Sequence, residues 1–417
     1  MTFNEIITLL EKRGVIPTTT PSIEPLRNAL KESGLLLKIN PTKTIVIAGT
    51  NGKGSICATL SALLTHAKKK VGLYTSPHLI STTERFRIND EDISEDEFTL
   101  AYEALLPLIE KHKLSHFESL TLIAAWIFYS GNTRPAVEYS IWEVGMGGLW
   151  DASNAIPHDF CGISKLGLDH QFFLGNDLQS IAAQKFGIIT KNAQVVFSPM
   201  DERLTSLRKK TQNEQNCQWI EIPPYKYLAP NNLDSAWGKV TLNLIGLSAA
   251  ENTMHALKLF ELLGFSPQSH LENLKKVRWP GRFSKAEWKN LHCPLYLSGD
   301  HNLEGIKSLI SILKEFHFKT LHLIVGIGAD KEVEKILENL SSLLNVSLYL
   351  TETTLKPLSL DDYPKEYKSK AKLCDKSLVN ILDHITQQAT KNDLVIITGS
   401  LYLVGHFLSL TKEKYHE

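Results

Sequence analysis

The sequence has few cysteines and no excess of either charge, and each shortage excludes a class of protein. Its five cysteines (Cys57, Cys161, Cys217, Cys293 and Cys374) are scattered and form no CxxC pair, which argues against a disulfide framework and a structural zinc site. Lysine plus arginine and aspartate plus glutamate each total 45, so no net field attracts nucleic acid or an anionic membrane. We therefore expect reduced, mostly buried thiols and a small-molecule partner.

Long apolar runs and a secretory leader are also missing. No stretch reaches the roughly 18 apolar residues that a membrane helix requires. The first residues, MTFNEIITLLEKRG, mix acidic and apolar side chains at helical spacing, whereas a signal peptide has a basic start and an apolar core. With 43% apolar and 22% charged residues, the composition predicts a soluble, cytoplasmic, globular protein.

Length and hydrophobic pattern together predict two α/β domains. The chain of 417 residues exceeds the roughly 250–300 residues at which a single core stops growing. Runs rich in Val, Ile and Leu alternate with stretches of helical period, which predicts mainly parallel sheets covered by helices; the runs are TIVIAG, VEYSIWEVG, FCGISKLG, PLYLSG, LHLIVG and DLVIITG. A helical stretch covers residues 252–277, and residues 221–240 are irregular or a small antiparallel insertion. The Pro-Gly pair of WPGR marks a boundary, giving domains over residues 1–281 and 282–417.

A glycine-rich turn follows the first apolar run. TIVIAG leads into TNGKGS, residues 50–55, and then into a helical stretch over residues 56–68. Backbone amides, a helix N-terminus and a lysine are the groups that bind a polyphosphate. The pattern departs from GxxxxGK, because Ile47 stands at the position of the first glycine. We interpret this phosphate loop as a nucleotide site, with a glycine turn of no function as the alternative.

Polar side chains are predicted at the carboxyl ends of neighbouring strands, where ligands of open α/β sheets bind. Glu143 closes VEYSIWE, Asp169 and His170 follow FCGISKLG, and Ser76 follows VGLYT. Hydroxyl and carboxylate oxygens beside phosphates suit magnesium. Glu143 is the best candidate, whereas His170 taken alone fits helix capping or the core equally well.

Lys185 lies in the apolar segment AAQKFGII. An isolated ammonium is costly to bury, so this lysine needs a special partner, a surface position or a chemical modification. The sequence alone favours the surface position.

Several further segments complete a pattern that covers residues 49–405: YTSPHL, ERFRIN, EVGMGG, DASN, GLDH, WPGRF, the HN of SGDHN and TGSLYLVG. In this order and spacing the chain resembles the folylpolyglutamate synthases, including the bifunctional dihydrofolate synthases, within the Mur-ligase group. The resemblance implies an N-terminal P-loop ATPase domain and a smaller C-terminal Rossmann-like domain, with the active site in the cleft between them.

The resemblance also implies roles for the residues that match family motifs. The ATP positions are Thr50, Asn51, Gly52, Lys53, Gly54, Ser55, Asn252, Arg282 and Ser298. Two magnesium ions are held by Ser55, Ser76, Glu143 and His170. The pterin is held by Ser115, Phe117, Asp151 and Ala152, with Phe117 stacked on the ring. The catalytic residues are Lys53, a carbamylated Lys185, Asp300 and His301, and an optional potassium ion completes the cofactors.

The sequence departs from the family pattern at four places. Ser298 stands where an ATP-contacting aspartate is usual, with Asp300 two positions later. Leu149 replaces an arginine and Gln184 a glutamate, and Ser248 with Ala249 replaces a His-Gln pair. These departures bear on the adenine and ribose contacts and on the substrate range.

The implied reaction is an ATP-dependent amide ligation. The γ-phosphoryl group activates the carboxylate of dihydropteroate or of a folate as an acyl phosphate, and the amine of L-glutamate displaces phosphate. His301 and Asn302 are assigned to the glutamate and phosphate side; a turn that only satisfies backbone groups is the alternative. A Mur-type cell-wall ligase and a nucleotide-binding homologue with weakened catalysis are the rival functions. A monomer without nucleic-acid or membrane partners is expected.

Overall fold

The computed structural model describes residues 1–14, 21–169 and 171–411, which form two compact units. The first unit comprises Met1–Lys226, Asp234–Val240 and Glu251–Val277. The second comprises Tyr227–Leu233, Thr241–Ala250 and Arg278–Glu417. The chain therefore passes several times from one unit to the other between residues 226 and 278.

The first unit is built on an eight-stranded sheet whose centre is parallel. Its strands are β1 (Thr44–Ala48), β2 (Val71–Tyr74), β3 (Phe86–Ile88), β4 (Glu91–Asp92), β5 (Tyr139–Glu143), β6 (Phe160–Ile163), β7 (Gln194–Phe197) and β8 (Gln218–Glu221). They lie in the order β4-β3-β2-β5-β1-β6-β7-β8. The six strands β2-β5-β1-β6-β7-β8 pair in parallel. Strands β3 and β4 pair antiparallel at the edge beside β2. Every residue of β1 is buried, as expected for a central strand covered on both faces.

Nine helices precede residue 263 among the described residues: α1 (Phe3–Glu11), α2 (Glu24–Glu32), α3 (Lys53–His66), α4 (Glu95–Lys111), α5 (His116–Tyr129), α6 (Gln171–Leu174), α7 (Leu178–Phe186), α8 (Thr205–Gln215) and α9 (Leu247–Leu262). Serine side chains begin two of them, because Ser94 and Ser115 form capping boxes at α4 and α5. Helix α5 has no polar face and is buried from Glu118 to Tyr129, so it belongs to the core.

The second unit contains a six-stranded sheet in the order β12-β13-β17-β14-β15-β16. Its strands are β12 (Arg282–Ala286), β13 (Leu295–Ser298), β14 (Leu321–Val325), β15 (Val346–Leu350), β16 (Leu373–Cys374) and β17 (Leu394–Thr398). Only β12 pairs antiparallel. The helices are α10 (Leu303–Leu313), α11 (Val333–Ser341), α12 (Lys365–Lys370), α13 (Leu378–Gln388) and α14 (Leu401–Thr411).

These two sheets confirm the predicted α/β fold class, and all six predicted apolar runs contain strands. In the second sheet, the sequence missed β12 at one edge and the neighbouring strands β15 and β16 at the other edge. The predicted helix over residues 252–277 is wrong at both ends. Helix α9 begins at Leu247 and ends at Leu262, because Gly264 turns left-handed at φ 91°. Residues 268–276 then form 3₁₀ turns.

Residues 221–240 contain a small sheet, one of the two alternatives that the sequence left open. Its strands are β9 (Tyr225–Leu228), β10 (Asn232–Ser235) and β11 (Gly238–Thr241), in the order β11-β10-β9. Among the residues that the structure describes, no helix is both long and apolar enough to cross a bilayer.

Candidate functional site

The phosphate loop lies between β1 and α3, at the carboxyl end of the central strand of the first unit. Gly49, just before it, has φ 148°, and Gly52 has φ 91°, a region that favours glycine. Added Cβ atoms would lie 1.8 Å from Ser164 Oγ at Gly49 and 2.3 Å from Asn252 Oδ1 at Gly52. Both glycines are therefore required by space as well as by backbone conformation, and Asn252 packs directly on the loop.

The segment that follows β6 holds the loop in this shape. The carbonyl oxygen of Lys165 accepts hydrogen bonds from the Thr50 amide (3.0 Å) and the Asn51 amide (3.4 Å). Thr50 Oγ1 donates to Gly167 O and accepts from Gly167 N, both at 3.0 Å. Ser164 Oγ donates to Asn51 O at 2.7 Å. Sequence reasoning missed this support; its only signal was that these residues follow a buried strand.

Two lysines converge on the same end of the loop. Lys53 Nζ donates to Gly49 O at 3.1 Å and to Thr50 O at 3.3 Å. Lys185 Nζ donates to Gly49 O at 2.8 Å. Lys185 is only 4% exposed, so the surface position favoured by the sequence is wrong. Its special partner is a carbonyl group far away in the chain.

The environment of Lys185 weakens its hold on a proton. Burial and the positive charge of Lys53 lower the pKa of Lys185 to about 7, although Asp169 and Asp151 act in the opposite direction. A large fraction of this amine is therefore neutral near neutral pH. A neutral amine is a nucleophile, whereas an ammonium group is not.

The oxygen donors proposed for a metal are partly brought together. Glu143 ends β5, is 5% exposed and accepts a hydrogen bond from the Ser76 amide at 3.0 Å. Ser55 is buried in the first turn of α3, and His170 lies outside the described residues. Within the described ranges, no three His, Cys, Asp or Glu side chains group closely enough to hold a metal. A buried carboxylate with serine hydroxyls fits magnesium, which completes its shell with phosphate oxygens and water.

Two of the four residues assigned to the pterin, Phe117 and Asp151, contact the same loop. The ring of Phe117 packs on Gly145, where an added Cβ would lie 2.7 Å from Phe117 Cζ. The ring centroids of Phe117 and Tyr74 are 5.9 Å apart. The carboxylate of Asp151 accepts from the amides of Gly145 and Met146, both at 3.0 Å. Asp151 therefore shapes the loop that supports the Phe117 ring.

Two residues of this set have structural contacts of their own. The Ser115 hydroxyl donates to the Glu118 carboxylate at 2.6 Å and begins α5, while Ala152 is buried. Burial raises the pKa of Asp151, although hydrogen bonds from Ser153 and from backbone amides act against the rise.

In the second unit, the candidate residues lie in the strand-end turn, residues 298–302, between β13 and α10. Asn302 Oδ1 accepts from the Gly305 amide at 2.9 Å and caps α10. The His301 ring bonds Gly299 O through Nδ1 at 2.8 Å. These contacts correspond to the structural alternative that the sequence left open, and they leave the catalytic assignment a prediction.

Asp300 interacts with both residues assigned to ATP in this unit, Ser298 and Arg282. The Ser298 hydroxyl donates to the Asp300 carboxylate, and Ser298 pairs with Arg282 across β12 and β13. Burial raises the pKa of Asp300, while Arg282 and the Ser298 hydroxyl counteract the rise. A carboxylate thus stands beside Arg282 even though Ser298 occupies the usual aspartate position.

Two further departures contact each other. The Leu149 amide donates to the Gln184 carbonyl at 2.7 Å. Leu149 also packs on Gly187, where an added Cβ would lie 2.4 Å from Leu149 Cβ. The contact places Leu149 against the end of the helix that carries Lys185.

Comparison with known proteins supplies similar sequences and a similar structure. The chain matches no protein-family model. It is 28% identical to the dihydrofolate synthetase of Saccharomyces cerevisiae over 89% of this chain and 93% of that relative. It is 26% identical to the dihydrofolate synthase/folylpolyglutamate synthase of Bacillus subtilis over 86% and 88% of the two chains. A bifunctional folylpolyglutamate synthase/dihydrofolate synthase, solved with Mn, AMPPNP and L-glutamate bound, has a TM-score of 0.85 at 25% identity, covering 99% of this chain and 98% of that one.

Proposed function

The chain belongs to the family of dihydrofolate synthases and folylpolyglutamate synthases, and from that premise we propose that it is an ATP-dependent ligase that joins L-glutamate to a folate-type carboxylic acid. The observation that carries the proposal is the phosphate loop before α3, where Lys53 donates to the carbonyl oxygens of Gly49 and Thr50 and Lys185 donates to that of Gly49. The cationic Lys53 at the N-terminus of α3 matches the triphosphate that such a ligase consumes.

The reaction needs activation because a carboxylate is a poor acyl donor. Transfer of the γ-phosphoryl group of ATP to a carboxylate oxygen forms an acyl phosphate and releases ADP. The amine of L-glutamate then attacks the acyl carbon, phosphate leaves with the C–O bonding electrons, and the ammonium proton is lost to solvent. Lys53 stabilises charge on the transferring group, and the loop amides position it.

Two divalent ions belong to this proposal, with Ser55, Ser76, Glu143 and His170 as their residues. Magnesium supplies charge neutralisation to the phosphates when bound. The position of Glu143 supports the assignment, since this residue ends β5 and its carboxylate lies beside Ser76. A potassium ion is an optional addition.

The remaining assignments complete the proposed substrate contacts. Ser115, Phe117, Asp151 and Ala152 hold the pterin, supported by the packing of Phe117 on the Gly145 loop. The proposed ATP contacts beyond the loop are made by Asn252, Arg282 and Ser298, and Asp300 belongs to the proposed catalytic residues. His301 and Asn302 face the glutamate and the transferring phosphate. The acid is dihydropteroate, a reduced folate, or both.

We further propose that Lys185 is carbamylated. The neutral amine attacks the carbon of CO₂, an N–C bond forms and one proton leaves, so a neutral amine becomes an anionic carbamate that would suit a site for divalent ions. We expect a ¹³C-carbamate signal in the NMR spectrum of the protein in ¹³C-bicarbonate at pH 8, and a weaker signal at pH 6, where the amine of pKa about 7 is protonated. Lys185→Gln should abolish the signal. Its absence from the unmodified protein at pH 8 would refute the carbamate.

The function is tested by ATP-dependent phosphate release in magnesium buffer, with dihydropteroate, dihydrofolate or tetrahydrofolate, each with and without L-glutamate. We expect release that requires both an acid from this set and glutamate. Release that requires a cell-wall peptide precursor instead would support a Mur-type ligase. Nucleotide binding without release under any condition would indicate a homologue with weakened catalysis.

We also place the enzyme in the cytoplasm as a monomer. All five cysteines are free and four are buried, which supports a reducing compartment. Light scattering after gel filtration, at micromolar concentration, tests whether the protein is a monomer.

A further inference from the structure

Three polar residues outside the proposed site form a hydrogen-bonded chain at the carboxyl end of the first sheet. Ser198 follows β7 and is wholly buried. Its Oγ lies 3.3 Å from His255 Nδ1 and also hydrogen bonds the carboxylate of Glu251. Glu251 and His255 are four residues apart on α9, so both side chains lie on the same face of the helix.

The direction of the hydrogen bonds follows from the surroundings of His255. This imidazole is completely buried, and its Nε2 has no hydrogen-bond partner among the residues that the structure describes. An added Cβ at Gly162 would lie 2.9 Å from Nε2, so backbone of β6 covers that edge. Burial lowers the pKa of His255 to about 3, and the ring is neutral. A hydrogen on Nε2 would be a buried donor without an acceptor, which is costly. Nδ1–H therefore donates to Ser198, whose hydroxyl donates to Glu251.

Glu251 lies beside the phosphate loop. Its neighbour Asn252 packs on Gly52. The charge of Lys165, which also supplies the carbonyl for the loop amides, favours the Glu251 carboxylate, although burial raises the pKa of Glu251 overall. On another side, burial and then the charge of Glu251 raise the pKa of Tyr225 to about 12. A half-buried carboxylate thus stands next to an aromatic ring at the edge of the loop.

The strand order indicates which part of a nucleotide would reach this carboxylate. Glu143 ends β5 and Ser76 follows β2, on one side of β1. Lys165, Ser198 and Tyr225 follow β6, β7 and β8, on the other side. A nucleotide with its phosphates at the end of β1 and its terminal phosphate towards Glu143 extends its nucleoside above β6 and β7. The base then arrives at Glu251.

We propose that Glu251 accepts a hydrogen bond from the exocyclic amine of adenine, held in orientation by Ser198 and His255. A carboxylate can only accept hydrogen bonds. Adenine has a donor at N6, whereas hypoxanthine has a carbonyl acceptor at that position, as guanine has. The carboxylate therefore binds the first base and repels the second. This inference rests on the proposed use of ATP.

The test is equilibrium binding of three nucleoside diphosphates to the full chain by calorimetry: ADP, IDP and purine riboside diphosphate, which has neither amine nor carbonyl at C6. We expect the unmodified protein to prefer ADP over the amine-free nucleotide by about 10–100-fold, the range for a hydrogen bond to a charged group. Glu251→Ala should abolish the preference, and Glu251→Gln, whose amide can also donate, should reduce the discrimination against IDP. Equal affinity of the unmodified protein for ADP and the amine-free nucleotide, or a preference that survives in Glu251→Ala, would overturn the inference.

Two further variants separate positioning from general damage. Ser198→Ala keeps the carboxylate but removes its donor, so the preference for ADP should fall about 3–10-fold; an equal loss of affinity for all three nucleotides would exclude a positioning role. Glu261→Gln, on the same helix and bonded to Trp237 and Lys258, should retain the full preference. If the unmodified protein bound none of the three nucleotides, the proposed function itself would fail, which is a different result from binding without preference.

Discussion

The phosphate loop of the first unit and the strand-end turn of the second unit contain similar residue types, but the hydrogen-bond partners of their side chains differ. At the loop, the ammonium group of Lys53 bonds the backbone carbonyl oxygens of Gly49 and Thr50, which are weak partners that a phosphate oxygen easily replaces. At the turn, Asn302 caps a helix and His301 bonds the carbonyl of Gly299. The geometry alone therefore supports anion binding at the loop, whereas a catalytic role at the turn has to be tested by substitution.

The sharpest test of the loop is Lys53→Met, which removes its charge and keeps most of its length. We expect turnover with ATP, L-glutamate and the preferred acid to fall about 10³-fold, or about 4 kcal/mol of transition-state stabilisation. Lys68→Met, beyond the other end of α3, is the control and should be neutral, since Lys68 is exposed. Equal turnover of Lys53→Met and Lys68→Met would mean that the loop is an ordinary glycine turn without a catalytic role.

The corresponding test of the turn is His301→Ala. If His301 contacts the transferring phosphate or the glutamate, turnover should fall about 10²-fold, as for the loss of one positioned polar group. His292→Ala, an exposed histidine of the same unit, serves as the control. Unchanged turnover in His301→Ala would mean that His301 has only a structural role. The loop would then be the catalytic region and the turn a structural one.

The two regions also differ in how far their sequence predicts them. Groups that are local in the chain were predictable: the strand TIVIAG, the glycines after it and the helix beginning at Lys53 lie within 25 residues. Lys185 was not, because its partner Gly49 O is 136 residues away and apolar neighbours alone cannot distinguish burial from exposure. The hydrogen bonds from His255 through Ser198 to Glu251 connect residues as far as 57 positions apart and match no sequence motif. Periodicity predicted the apolar strands but not β15, whose first two residues are only half-buried, or β16, which has only two residues.

A glycine pair tests whether the loop depends on its packing. Gly52→Ala places a Cβ 2.3 Å from Asn252 Oδ1 at φ 91°, whereas Gly34→Ala at φ 70° meets no atom within 4 Å. Left-handed backbone costs an alanine about 1–2 kcal/mol in both variants. We expect Gly34→Ala to lose only that stability and to bind ADP normally. Gly52→Ala should lose more than ~2 kcal/mol in urea denaturation and bind ADP at least ~10-fold more weakly. Equal ADP affinity in both variants would mean that the loop tolerates a displaced Asn252.

The smallest expected effect separates the two roles of Asn302. Asn302→Ala removes the cap of α10 and should lower the free energy of unfolding by about 1 kcal/mol, whereas Asn302→Asp keeps the cap and the stability. If the cap is the whole role, Asn302→Asp retains turnover, because the carboxylate still accepts from the Gly305 amide. If the amide also contacts glutamate or phosphate, Asn302→Asp stays stable but loses turnover, since a new negative charge repels both anionic groups. Stability and turnover that fall together in Asn302→Asp would contradict both roles, because neither predicts that an aspartate destabilises the helix start.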